Sequence, residues 1–203
     1  MKLARTLPLM TLAGMLAIAA SASQAGLPQA APAPAAAAAA APNPTVGGAV
    51  MDAAKPIAAN AAAAPNLTTL VAAAKSADLI ATLSGPGPFT VFAPDNDAFG
   101  RLAPGTMDTL LKPANKASLA KVLTYHVVPG TITLEDLTNR IKAGNGTATL
   151  TTVEGEPLKV SNDGGAFLLT DVNGNKSYIE TPDVRQSNGI VHVVNGVMIP
   201  KLG

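Results

Sequence analysis

From Gly146 onward the chain alternates. TATLTTV (147–153), PLKVSN (157–162), AFLLTDV (166–172) and SYIETPDV (177–184) carry apolar and polar side chains by turns, separated by Glu154-Gly155, Asp163-Gly164 and Asn173-Gly174. Period-two alternation is that of strands with one buried face, and glycine pairs of this kind supply the backbone angles of tight reversals. The expectation is an antiparallel meander. The final stretch, GIVHVVNGVMIP (189–200), reads as two more strands, IVHVV and VMI, joined through Asn195-Gly196 in a tight hairpin.

The first half has a helical rhythm instead. Pro56 stands at the favoured start of IAANAAAA, and Asn66 is placed to cap a helix whose Leu67, Leu70, Val71 and Ala74 share one face. Asp78 to Leu83 adds a turn before Gly85-Pro86-Gly87-Pro88 stops it. Phe89 to Ala93 is a short β-rich run, followed by Asp95 or Asn96 as the cap of a turn carrying Phe99 and Leu102. Thr106–Leu111 and Asn115–Leu123 read as short helices, and Thr133-Leu134-Glu135-Asp136 resembles a capping box that opens a helix through Leu137 to about Ile141. Helices first and strands later, with one strand from the middle, imply an α+β domain with short helices packed on a β-sandwich or folded sheet.

Residues 1–25 read as a secretory signal peptide: Lys2 and Arg5 precede the apolar run Leu7–Ala20, and Ser23-Gln24-Ala25 is a small-residue cleavage site. That apolar run is shorter than the roughly 20 residues a membrane span needs, so no integral membrane segment is expected in the mature chain. Residues 26–42 contain only Gly, Leu, Pro, Gln and Ala, too little apolar surface to offset ordering entropy, and read as a flexible linker. The folded domain is expected over 43–203. The chain has no cysteine, so an exported domain must draw its stability from an apolar core. Removing Lys2 and Arg5 takes the formal charge of +1 below zero, and the remaining cations are scattered without interleaved aromatics, which argues against a nucleic-acid partner.

The chain has 2 histidines, both in apolar runs. As strand residues, His126 would share a face with Val128 and Tyr125 with Val127, while His192 would align with Ile190 and Val194. A closed zinc site wants four ligands, and neither a cysteine nor a third histidine is present to complete one. No metal or cofactor is therefore expected, and both imidazoles read as buried, hydrogen-bonded structural groups. Ser84, Ser118 and Ser187 lie outside any nucleophile elbow, and the acid pairs Glu135-Asp136, Asp95 with Asp97, and Glu154 with Glu156 are explained as caps or solvated loops. Gly85-x-Gly87 lacks the Lys-Ser/Thr of a phosphate loop. The expectation is a protein that is not an enzyme.

FTVFAPDNDAF (89–99), LTYHVVPG (123–130) and SNGIVHVVNGVMIP (187–200) together resemble the fasciclin domain, matching in order its two end motifs and its central Tyr-His segment. VGGAVM with LLKPANKASLAKVLTYHVVPG is similar to small, secreted single-domain bacterial members of that family. The resemblance implies a fold in which the first and last motifs pair as adjacent central strands. It also implies that His126 holds a strand end against the turn near Pro94 to Asn96. It implies adhesion: association with a surface or matrix protein or a polysaccharide, with secretion to a periplasm or beyond. In animal members two segments are assigned to integrin recognition. Tyr125 and His126 match the first; of the second, only Pro182 and Asp183 are kept, within Thr181-Pro182-Asp183-Val184-Arg185. These four are the candidate interaction residues. The alternative is a carrier of a small apolar ligand in a cleft between helices and sheet, lined by Phe99, Leu102 and Leu110.

Overall fold

A computed structural model describes residues 43–201. The expected signal peptide (1–25) and Ala/Pro linker (26–42) lie outside the described residues. In chain order the elements are β1 (Thr45–Val46), β2 (Ala49–Val50), α1 (Ile57–Ala63), α2 (Thr68–Ser76), α3 (Ile80–Leu83), β3 (Phe89–Pro94), α4 (Asn96–Gly100), α5 (Thr106–Leu110), α6 (Lys116–Tyr125), β4 (Val127–Pro129), α7 (Leu134–Ala143), β5 (Thr147–Thr151), β6 (Pro157–Asp163), β7 (Ala166–Thr170), β8 (Lys176–Gln186) and β9 (Gly189–Val194). The α+β class holds, in its folded-sheet form.

Seven strands form one sheet in the order β4-β3-β9-β8-β7-β6-β5. The meander β5 to β9 is antiparallel throughout, whereas β3 and β9, the two end motifs, run parallel from Phe89 opposite Gly189 to Pro94 opposite Val194. The far ends of the sheet approach each other, and the Val153 amide just after β5 donates to the Val127 carbonyl of β4 at 2.8 Å. The sheet is thus curled almost closed.

The curl creates two cores. On one side Val91 and Ala93 of β3 and Val191 and Val193 of β9 meet the helices through Leu67, Leu70, Leu119, Val122 and Leu123. On the other, Phe92 and Val194 join Leu150, Leu158, Val160 and Leu169 beneath Leu137 and Ile141 of α7. Strands β3 and β9 therefore bury both faces, which is why their sequences are near-continuous apolar runs. Strands β5 and β6 have one wet face, and burial alternates along them. α7 opens with the expected capping box: Thr133 Oγ1 accepts from the Asp136 amide at 3.1 Å, and Asp136 Oδ2 accepts from the Thr133 amide at 3.0 Å. The Thr133 amide and the Thr133 hydroxyl, which donates to the same Oδ2 at 2.9 Å, hold the Asp136 carboxyl below its ordinary range.

Three local expectations are corrected. Asn66 does not cap α2: it falls inside a 3-10 turn (Pro65–Leu67), and the Thr69 amide is met at 3.0 Å by Oδ1 of Asn96, from the start of α4. Asn195-Gly196 does not open a hairpin. β9 already has β3 and β8 as neighbours, so VMI has no free edge to pair with and leaves the sheet. Tyr125 and His126 are not strand residues, since α6 runs through Tyr125 and His126 is its C-cap.

Candidate functional site: the two buried imidazoles and their surroundings

His126 enters the interior because the inward stripe of α6, Leu119, Val122, Leu123 and Tyr125, carries the chain straight into β4. The imidazole is 1 % exposed. Its Nδ1–H donates to the Val122 carbonyl at 2.7 Å, and its Nε2 accepts from the Met198 amide at 3.1 Å. One donor and one acceptor position fix a single neutral tautomer. Burial pushes the group down to about 4, because a charged ring there would lose its hydration. The tie therefore runs from α6 to the chain after β9, not to the turn near Pro94 to Asn96. Tyr125, 0 % exposed, donates its hydroxyl to the Pro157 carbonyl at 2.9 Å, and burial raises its phenol to about 12.

His192 is arranged in the same way. Its Nε2–H donates to the Ile132 carbonyl at 2.9 Å and its Nδ1 accepts from the Asp183 amide at 3.2 Å. The ring stacks on its register partner Phe92, with centroids 5.5 Å apart, and burial holds it below its ordinary value. Asp183 lies at an irregularity in β8, between the pairs Thr181 opposite Val193 and Val184 opposite Val191. Its φ of 55° is one that aspartate tolerates better than most residues. Held there, Oδ1 accepts from the Leu134 amide at 2.9 Å, a carboxylate on the first turn of α7.

The four sequence-stated interaction residues thus occupy two kinds of place. Tyr125 and His126 are enclosed and can touch a partner only through the surface they shape. Pro182 and Asp183 are half-buried, with Asp183 tying β8 to β9 and α7. Chemically, each imidazole has both nitrogens committed to backbone groups at neutral pH. Neither has a lone pair free to take a proton from a substrate or to bind a metal.

Three polar junctions were not singled out from sequence. Asn188 Oδ1 accepts from the Ile57 amide at 2.9 Å, while Nδ2 donates to the carbonyls of Leu83 and Gly85, so one side chain gathers the start of α1 and the end of α3. Asn60 and Gln186 bond side chain to side chain in the interior. Asp171, 5 % exposed, accepts from the amides of Asn173, Asn175 and Ile199. The available signal was asparagine or aspartate beside glycine or a strand end, which predicts a local turn and is silent about distant partners.

A cavity of about 60 Å³ lies between α1–α3 and β3, β8 and β9, lined by Met51, Ile57, Leu70, Leu83, Val91 and Val191 among others, with His126 on its border. The expected lining is corrected: Phe99 and Leu110 belong to the same helix-side core but do not line the cavity, and Leu102 packs against that core.

The family model for the fasciclin domain matches residues 65–200. The chain belongs to the fasciclin domain family. Among its relatives, Protein sll1483 of Synechocystis sp. is 40 % identical over 159 residues, 77 % of this chain and 80 % of that protein. Human periostin is 30 % identical over 129 residues, 64 % of this chain but 14 % of periostin. A FAS1 domain pair from the insect cell adhesion molecule fasciclin I superposes with a TM-score of 0.63 at 20 % identity, over 73 % of this chain and 51 % of that one. That superposition matches the fold.

Proposed function

We propose that this protein is a secreted, non-enzymatic adhesion module: a fasciclin domain over 43–203, carried on an Ala/Pro arm (26–42) behind a signal peptide (1–25), that associates with a surface or matrix. The observation that carries the reading is the commitment of both motif imidazoles to backbone bonds in the interior. The most diagnostic residues of the chain hold the fold together, and the exposed skin is left for contact with other molecules. Fasciclin I, described as a cell adhesion molecule, supports the same class of role. Pro182 and Asp183 are the members of the candidate set that reach solvent. Binding of the purified full chain to cells, matrix polysaccharide and surface proteins tests the proposal. Saturable binding to one of them is expected, and its absence from all, with normal attachment of a deletion strain, overturns it.

The apolar cavity favours a second reading, carriage of a small apolar ligand. At about 60 Å³ it is smaller than the ~150 Å³ of a cavity that admits benzene, so such a ligand would need α1–α3 to move. Native mass spectrometry of freshly exported protein separates the readings: a co-purifying apolar mass supports carriage, and a clean protein mass counts against it.

A further inference from the structure

The outward face of the meander carries one row that is neither core nor ion-paired. Thr149 of β5, Lys159 of β6, Thr170 of β7 and Lys176 of β8 are successive register partners, so the four side chains stand side by side across four strands. Thr149, Lys159 and Lys176 are exposed and Thr170 is half-buried. The two lysines are two strands apart, about 10 Å at the usual spacing of hydrogen-bonded strands. The ion pairs among the described residues are Lys55–Asp52, Lys116–Asp78 and Lys121–Glu154, and none includes either lysine.

The acids of this face stand apart from the row. Asp163 and Glu180 each lie four residues further along β6 and β8, about 13 Å from the lysine row, beyond the screening length at physiological salt. Asp163 is also occupied, since Oδ2 accepts from the Tyr178 hydroxyl at 3.1 Å. At the other end, Glu156 lies three residues before Lys159, about 10 Å along the strand, and pairs with neither lysine. The positive charge of Lys159 and Lys176 is therefore locally uncompensated.

The next row adds a shaped floor. Thr147, Ser161, Leu168 and Tyr178 are register partners. The tyrosine of β8 reaches over β7 to its bond with Asp163 of β6, so its ring lies across Leu168. Leu168 is only 7 % exposed although it faces outward. A pinned aromatic ring, a line of hydroxyls and two unpaired ammonium groups thus share the outward face of the sheet. Resting on the adhesion reading, we infer that this face binds an extended acidic polysaccharide. Its carboxylates meet Lys159 and Lys176, its hydroxyls meet Thr149, Thr170 and Ser161, and one sugar ring lies on Tyr178. The lysine spacing suits a polymer that carries carboxylates along its length, and the row of hydroxyls suits the hydroxyls of sugars.

The test is calorimetric titration of the full chain with polygalacturonate, with neutral dextran as control. Polygalacturonate binding, weakening with salt, and no dextran binding are expected. Lys159→Gln with Lys176→Gln should weaken it about thirtyfold at low salt, at roughly tenfold or less per lysine. Lys112→Gln with Lys142→Gln, the same charge change on exposed positions elsewhere, should cost less than about threefold. All four positions are solvent-facing, so unchanged melting curves will show that the variants fold. Equal losses in both pairs, or equal binding of dextran, would overturn the inference. If the wild-type chain binds cells but not polygalacturonate, or its row variant still adheres fully, the face is wrongly assigned and the adhesion reading stands. If the wild-type chain binds no cell, matrix polysaccharide or surface protein, and a deletion strain attaches normally, both fall.

Discussion

Replacing His126 by phenylalanine keeps an aromatic ring of similar volume in the same pocket and removes two things, the pair of backbone hydrogen bonds and the titrating group. Both bonded atoms, the Val122 carbonyl and the Met198 amide, lie where His126 is 1 % exposed, so water cannot replace the imidazole. Leaving a buried polar group unpaired costs about 1–3 kcal/mol, so two together give about 3 kcal/mol at pH 7 after partial relaxation. For a domain of this size that is a fall in Tm of roughly 6–12 °C.

Acid changes the comparison in a direction the pKa fixes. The folded value, about 4, lies below the ordinary 6.5, so the unfolded chain binds the proton more readily in the window between them. The stability contributed by neutral His126 is complete above about 6.5 and is lost as pH falls toward 4, amounting to about 2 kcal/mol by pH 4.5. The phenylalanine variant has no imidazole to titrate. Urea unfolding at pH 7 and at pH 4.5 should therefore show a gap of about 3 kcal/mol between the two proteins at the higher pH, shrinking to about 1 kcal/mol at the lower. The same gap at both values would mean that the ring is not held neutral by burial. No gap at pH 7 would mean that the two bonds do not matter to stability.

Three further outcomes follow from single positions. Gly189 has φ +157° and a Cβ there would stand 1.9 Å from the Phe89 carbonyl oxygen, whereas Gly164, at φ +61°, would meet nothing within 4 Å; Gly189→Ala should cost roughly 3 kcal/mol or more and Gly164→Ala only about 1 kcal/mol by chemical denaturation. Thr133→Ala removes one half of the α7 capping box and should lower stability by about 1 kcal/mol in the same assay, with hydrogen exchange rising first at the start of that helix. Asp183→Ala loses both the Leu134 bond and a residue type suited to φ 55°, for about 2 kcal/mol, while Asp183→Asn keeps the acceptor and should lose under about 1 kcal/mol; equal losses would show that the backbone angle does not decide.

What was legible from sequence was whatever a residue's near neighbours determine. The alternation of β5 to β8, the capping box at Thr133 and the cap at Asp95, which accepts from the Ala98 amide at 2.7 Å, are settled within a few residues, and each formed. The failures share one cause. Asn195-Gly196 is a sound local hairpin signal, but a hairpin needs an open strand edge, and the parallel pairing of β3 with β9 had closed it. Tyr125 and His126, with Val127 and Val128 after them, look like a strand by residue type. Packing of the α6 stripe against the helical core extended the helix through Tyr125, and the helix end then aimed His126 at Met198, 72 residues on. The candidate site was half legible for the same reason. Burial of the imidazoles follows from apolar neighbours, whereas their partners, Ile132 and Met198, are chosen by the curl of the sheet. The lysine row across β6 and β8 shows the complementary case. Each lysine alone is an ordinary polar member of an alternating strand, and only the register of four strands makes them a pair.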